Sequence, residues 1–153
     1  MLRLSKKADY ALMAMKHLAL RGDRGSSSAR EIAGSYDIPI ELLAKVLQRL
    51  VRGGLLASQQ GTRGGYQLAR VPTMISVADV IQAIDGTVAV TACSSTDAVN
   101  TCEQFAKCNV RDPLWKVRER ILAALGECTI AELSAEPMTT AQAPRTAVLH
   151  THI

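Results

Sequence analysis

The stretch AREIAGSYDIPIELLAKVLQRLVRGGLL, residues 29–56, decides the fold. It holds two helical patterns on either side of Asp37-Ile38-Pro39. Pro39 fixes its own φ and steers Ile38 away from the α region, so the chain must turn there. Before the turn, the sequence predicts a short helix over Ala29–Tyr36. Ser28 is its N-cap, with Glu31 three residues on, the spacing of a capping box. After the turn, Ile40, Leu43, Val46, Leu47 and Leu50 share one face of a helix over Ile40–Arg52. Gly53-Gly54 stops it. Two short helices joined by a tight turn are a helix-turn-helix.

Upstream, Leu4, Ala8, Leu12, Met15 and Ala19 recur at spacings of three and four and predict a helix over 5–20, capped by Ser5. Gly22 and Gly25-Ser26-Ser27-Ser28 form a loop after it. Downstream, residues 55–60 and 66–69 flank Gly61-Thr62-Arg63-Gly64-Gly65 and predict a β-hairpin, closed off by Pro72. The expected fold class is therefore mostly α with a small β-hairpin wing, a winged helix-turn-helix over residues 1–72. In that arrangement the second helix lies in the major groove of double-stranded DNA. Its outward positions are Glu41, Ala44, Lys45, Gln48 and Arg49, and the wing offers Gln60, Thr62 and Arg63. Charge agrees: residues 1–72 carry 12 Lys/Arg against 5 Asp/Glu, whereas residues 73–153 carry 6 against 9. A basic half beside an acidic half suits a polyanion-binding module joined to something else.

The second part reads as residues 73–133, with a tail over 134–153 expected to be disordered because its composition turns to Thr, Ala, Pro and Gln. Ser76 to Ile84 predicts a helix ended by Asp85-Gly86. Asp112-Pro113 predicts another, with Asp112 as cap and Pro113 first. It carries Leu114, Val117, Ile121 and Leu125, and Gly126 should weaken or end it. Apolar runs fall far short of a membrane span, and the opening residues lack a leader's apolar core, so a cytoplasmic protein is expected. No Ser/His/Asp or paired-carboxylate constellation suggests an enzyme.

Cys93, Cys102 and Cys108 lie between the two predicted helices, with eight and five residues in the gaps. Soft thiolates in a loop suit zinc or an iron–sulfur cluster. The gaps are wider than the close cysteine pairs of structural zinc sites, and the segment holds no His. Three cysteines leave a cluster one ligand short, and a thiol-only redox sensor stays open. Cys128 reads as a small buried hydrophobe.

The chain resembles the IscR-, NsrR- and SufR-type bacterial regulators. The resemblance runs over about residues 1–135, through LRLSKKADYALMAM, the helix-turn-helix segment, QQGTRGGYQLAR, ISVADVIQAIDG and CNVRDPLWKVRERI. It implies a homodimeric transcription regulator, read as a repressor, that binds a double-stranded DNA operator and senses iron–sulfur status, redox or nitric oxide. It implies that Cys93, Cys102 and Cys108 ligate a 2Fe–2S or 4Fe–4S cluster, and that Leu114–Leu125 belong to a long dimerisation helix. Some relatives supply a His three residues after the third cysteine, where this chain has Arg111. Others use an Asp near the start of the first helix, reached from the partner subunit, and Asp9 stands at the matching position. A cluster-free repressor reading thiol redox state or a small effector is the alternative. An iron–sulfur carrier would not need a basic helix-turn-helix.

Overall fold

The computed structural model describes residues 3–91, 93 and 102–135. The helices are α1 (Lys6–Arg21), α2 (Ala29–Tyr36), α3 (Ile40–Arg52), α4 (Val77–Asp85), α5 (Arg111–Glu127) and α6 (Ile130–Ala135). Strands β1 (Leu56–Gln59) and β2 (Gly65–Leu68) form an antiparallel hairpin with Leu56 opposite Leu68 and Gln59 opposite Gly65. The chain is thus mostly helical with a two-stranded wing directly after a helix-turn-helix.

Local chemistry opens these helices where expected. The hydroxyls of Ser5, Ser28 and Ser76 accept from the amides of Ala8, Glu31 and Asp79 at 3.1, 3.1 and 3.0 Å. Such a cap contributes about 1 kcal/mol. At Ser76 the box is complete, because the Asp79 carboxylate accepts from the Ser76 amide at 2.9 Å. At Ser28 the Glu31 carboxylate instead pairs with Arg21 at the end of α1. Asp37 ends α2 in the left-handed region, at φ 52°, and turns Ile38 into the core.

The C-terminal helices depart from expectation. α5 begins at Arg111 with Val110 as N-cap, so Pro113 is its third residue. The first four helical amides have no intrahelical acceptor, so a proline there removes nothing. Asp112 caps nothing and accepts from Arg111 Nε at 3.0 Å. The helix runs through Gly126 and closes at Cys128, which is half-buried rather than buried. α6, only six residues long, was not expected from the sequence, yet its Ile130 is fully buried. The expected tail beyond Ala135 lies outside the described residues.

One core runs through both halves. Ala8, Ala11, Ala14, Met15 and Leu18 of α1 join Leu43, Val46, Leu47 and Leu50 of α3, and also Ile75, Val80, Ile84 and Ile130. The α1 stripe is rotated from the expected one: Ala11, Ala14 and Leu18 point inward, and Leu4 is 38% exposed. The three alanines are fully buried, which lets neighbouring helices approach α1 closely. The end of α5 is stitched back by Val77 N to Cys128 O at 2.8 Å and Ile130 N to Ile75 O at 2.9 Å.

The wing is seated on the helix-turn-helix by its backbone. Ser27 and Tyr66 exchange two hydrogen bonds, Ser27 N to Tyr66 O at 3.0 Å and Tyr66 N to Ser27 O at 2.8 Å. A Cβ on Gly65 would lie 2.5 Å from the Ser27 carbonyl oxygen, and one on Gly64 2.6 Å from that of Gln59. Beneath the bridge the Ser27 hydroxyl, fully buried, lies 3.4 Å from His17 Nε2. His17 Nδ1 lies 2.9 Å from the Tyr36 hydroxyl, so a polar chain joins the wing, α1 and α2. Burial holds His17 below its ordinary 6.5, more than Glu31 raises it, and Arg21 lowers it further.

Gly65→Ala should lower stability by about 1–3 kcal/mol, since the clash is with backbone and no side chain can give way. An unchanged urea midpoint would show that the wing is not seated as described. His17 adds a pH dependence. The unfolded chain takes the proton more readily, so this contribution is full above pH 6.5 and falls as pH drops below it toward the folded pKa. His17→Gln should flatten that acid limb of the urea midpoint, and equal slopes in both proteins would contradict it.

Candidate nucleic-acid interface and cysteine loop

Helix α3 turns two faces in opposite directions. Leu43, Val46, Leu47 and Leu50 are buried, while Glu41, Lys45, Gln48 and Arg52 are exposed. The exposed four are spaced by four, three and four residues and therefore form one stripe. Ala44 is half-buried beside it, and Ile40, expected inside, is 42% exposed at the helix start. Between this stripe and the wing runs a groove of about 500 Å³, lined by Ser28, Gln48, Arg52, Ser58, Gln60 and Tyr66. Arg52 was not among the expected contact residues, although its spacing from Lys45 and Gln48 marks it as one of the stripe.

The wing tip makes a second, more basic notch. Arg21, Arg24 and Arg63 line it together with Glu31, which pairs with Arg21, and with Ser26, Ser28 and Thr62. The tip is held by the Ser26 hydroxyl, which donates to the Arg63 carbonyl at 3.0 Å. The Arg63 side chain is left exposed, as are Thr62 and Gln60. Guanidiniums around a helix N-terminus favour phosphate oxygens, and the amide and ammonium of Gln48 and Lys45 can donate to base edges. Arg49, also exposed, flanks the stripe. Its Nη1 donates to the carbonyl oxygen of Ile84 in the last turn of α4 at 2.8 Å.

Cys93, Cys102 and Cys108 are half-buried, and none is in a disulfide. Thr91 Oγ1 lies 3.0 Å from Cys93 Sγ. Cys102 opens a turn in which Phe105 N donates to its carbonyl at 3.1 Å. Arg111 stacks on the Phe105 ring, 4.8 Å from its centre, and donates to the Phe105 carbonyl at 3.1 Å. Asp9 is half-buried in the first turn of α1. Among the described residues, no three His, Cys, Asp or Glu side chains are gathered closely enough to hold a metal, so the three thiols and Asp9 are not brought together within one chain. Three soft donors outside any disulfide suit iron, whereas the Arg111 guanidinium, always protonated, has no lone pair to offer it.

α5 leaves much of its surface uncovered. Arg118 is its one buried residue, whereas Trp115 and Val117 are 47% and 42% exposed. Ile121 and Leu125 line a cleft of about 620 Å³ with Leu4, Ile81 and Val88. No helix among the described residues is long and apolar enough to cross a membrane.

A family model described as Rrf2, iron-dependent transcriptional regulator, matches residues 4–136. The HTH-type transcriptional regulator IscR of Xenorhabdus nematophila is 34% identical over 133 residues, 86% of this chain and 79% of that protein. Among solved structures, T. potens IscR has a TM-score of 0.69 at 29% identity, covering 93% of this chain and 94% of that one. CymR (YrzC), the global cysteine regulator of B. subtilis, has a TM-score of 0.71 at 26% identity, covering 88% and 97%.

The exposed wing tip gives a direct test. Arg63→Ala should weaken binding to a duplex selected by the protein from random sequence by roughly 1–3 kcal/mol. Unchanged affinity at fixed salt would remove the wing from the interface.

Proposed function

Because the chain belongs to the Rrf2 family of transcriptional regulators, we propose that it acts as a homodimeric, sequence-specific DNA-binding repressor governed by its cysteine loop. The family is one of transcription regulators, not an enzyme class. The carrying observation is the groove between the α3 stripe and the wing, whose floor and rim hold the polar and cationic side chains a duplex requires. Lys45 and Gln48 enter the major groove with Glu41 and Arg52 flanking them. Gln60, Thr62 and Arg63 reach the adjoining backbone or minor groove. Two such units on one operator need a dimer, and the uncovered apolar residues of α5 support pairing of that helix with its counterpart.

The thiolates of Cys93, Cys102 and Cys108 would hold an iron–sulfur cluster, with Asp9 of a partner subunit as fourth ligand. A cluster held there supplies a centre that responds to iron supply, oxidants or nitric oxide. The family description and the IscR relatives support this reading. A carboxylate is a harder and weaker partner for iron than a thiolate, which makes that ligand the one most readily lost. A cluster-free regulator sensing thiol redox or a small effector is the second reading, favoured by the likeness to CymR, the global cysteine regulator of B. subtilis.

Anaerobic reconstitution with iron and sulfide separates the two. The first reading expects visible absorption and stoichiometric iron and sulfide in wild type. Cys102→Ala should lose them while keeping its helical circular dichroism, and Asp9→Ala should keep the thiolate-bound iron with an altered spectrum. A colourless wild type with unchanged DNA affinity would leave the cluster-free reading, and a normal spectrum in Cys102→Ala would sink the ligand assignment.

A further inference from the structure

The last turn of α4 and the residues after it, Ile84 to Val88, receive side chains from three other helices. Arg49 of α3 donates to the Ile84 carbonyl at 2.8 Å. The Ser5 hydroxyl, which caps α1, donates to Asp85 Oδ1 at 2.7 Å. Arg118 of α5, nine-tenths buried, donates from Nε to the Val88 carbonyl at 3.0 Å. α3 and α4 also touch where a Cβ on Gly53 would lie 3.1 Å from the Ala83 Cβ.

The Arg49 contact follows from ordinary helix chemistry. The last carbonyls of a helix have no intrahelical donor and carry partial negative charge, so a guanidinium satisfies both needs. Charge-assisted bonds of this kind are directional and resist lateral slip. Arg49 sits beside Gln48 in the DNA-facing helix, and Cys93 follows Val88 by five residues. The segment therefore touches the recognition helix at one end and leads into the cysteine loop at the other.

We propose that Arg49 is a coupling residue rather than a reader of bases: through the Ile84 carbonyl it makes the orientation of α3 follow the position of the Ile84–Val88 segment. This rests on the cysteine-loop reading above. When the loop changes state, the backbone it pulls on is the one that Arg118 grips at Val88 and Arg49 grips at Ile84. α3 must then move with the segment or lose the bond. Gly53 against Ala83 leaves little slack for α3 to slide past α4.

The test uses full-length wild type, Arg49→Met and Arg49→Lys, each prepared anaerobically with iron and sulfide and also stripped by chelator. Affinity is measured at one salt concentration for a duplex selected by wild type from random sequence. Allosteric coupling is typically about 5–150-fold between two states. Arg49→Met keeps the aliphatic stem without the donors, so it should bring the ratio between loaded and stripped forms to about one, with the base preference and the absorption spectrum of wild type. Arg49→Lys retains a donor and should keep part of the ratio, which also carries the test should the Met variant fail to fold. Equal loss of affinity in both forms, or a changed base preference, would make Arg49 a DNA contact and overturn the proposal. A wild-type ratio of one ends the sensing reading and the coupling with it, whereas a wild-type ratio that persists in Arg49→Met ends the coupling alone.

Discussion

Two backbone hydrogen bonds between Ser27 and Tyr66 hold the wing against the helix-turn-helix, and the site depends on them. An isolated hairpin of two four-residue strands is marginal in water. Ser27 gives it a third partner, and Gly65 allows the approach because it has no Cβ to strike the Ser27 carbonyl. The groove beside Gln48 and Arg52 exists only while the wing stands at this angle. The chain from Ser27 through His17 to Tyr36 then fixes the bridge to α1 and α2. One contact thus sets the spacing between α3 and the wing.

Much of this was legible in the sequence where the cause is local. Ser5, Ser28 and Ser76 cap their helices within three residues of themselves, so the pattern of one short segment is enough. The turn at Asp37-Ile38-Pro39 is similarly self-contained. Pro113 misled because a proline is tolerated at several positions of a first turn, and only backbone geometry says which one it takes. The rotation of the α1 stripe was hidden because alanine carries a weak apolar signal, and burial there is decided by the helices packed on it.

The candidate site divides in the same way. The outward stripe of α3 could be read from spacing, and Arg52 belonged to it by that rule. The hydrogen bond of Arg49 could not be read, because its acceptor is a carbonyl 35 residues away on another helix. Nor does spacing reveal that the notch at the wing tip gathers Arg21 at the end of α1 and Arg24 in the turn after it with Arg63. The cysteines illustrate a different limit. Their donor chemistry is plain from residue type, whereas spacing does not say that the three thiols and Asp9 stay apart within one chain.

The burial of Ile130 bears on modularity. DNA-binding halves are often pictured as cassettes that can be cut from one protein and joined to another. Here the floor under α1 is laid by Ile75, Val80, Ile84 and Ile130, all downstream of the wing. A segment ending at Pro72 would carry the whole helix-turn-helix and still leave Ala8, Ala11 and Met15 without their lower layer. The recognition surface and the cysteine-bearing half are therefore parts of a single foldable unit. A lineage that recombined them would have to exchange matched cores along with the contact residues.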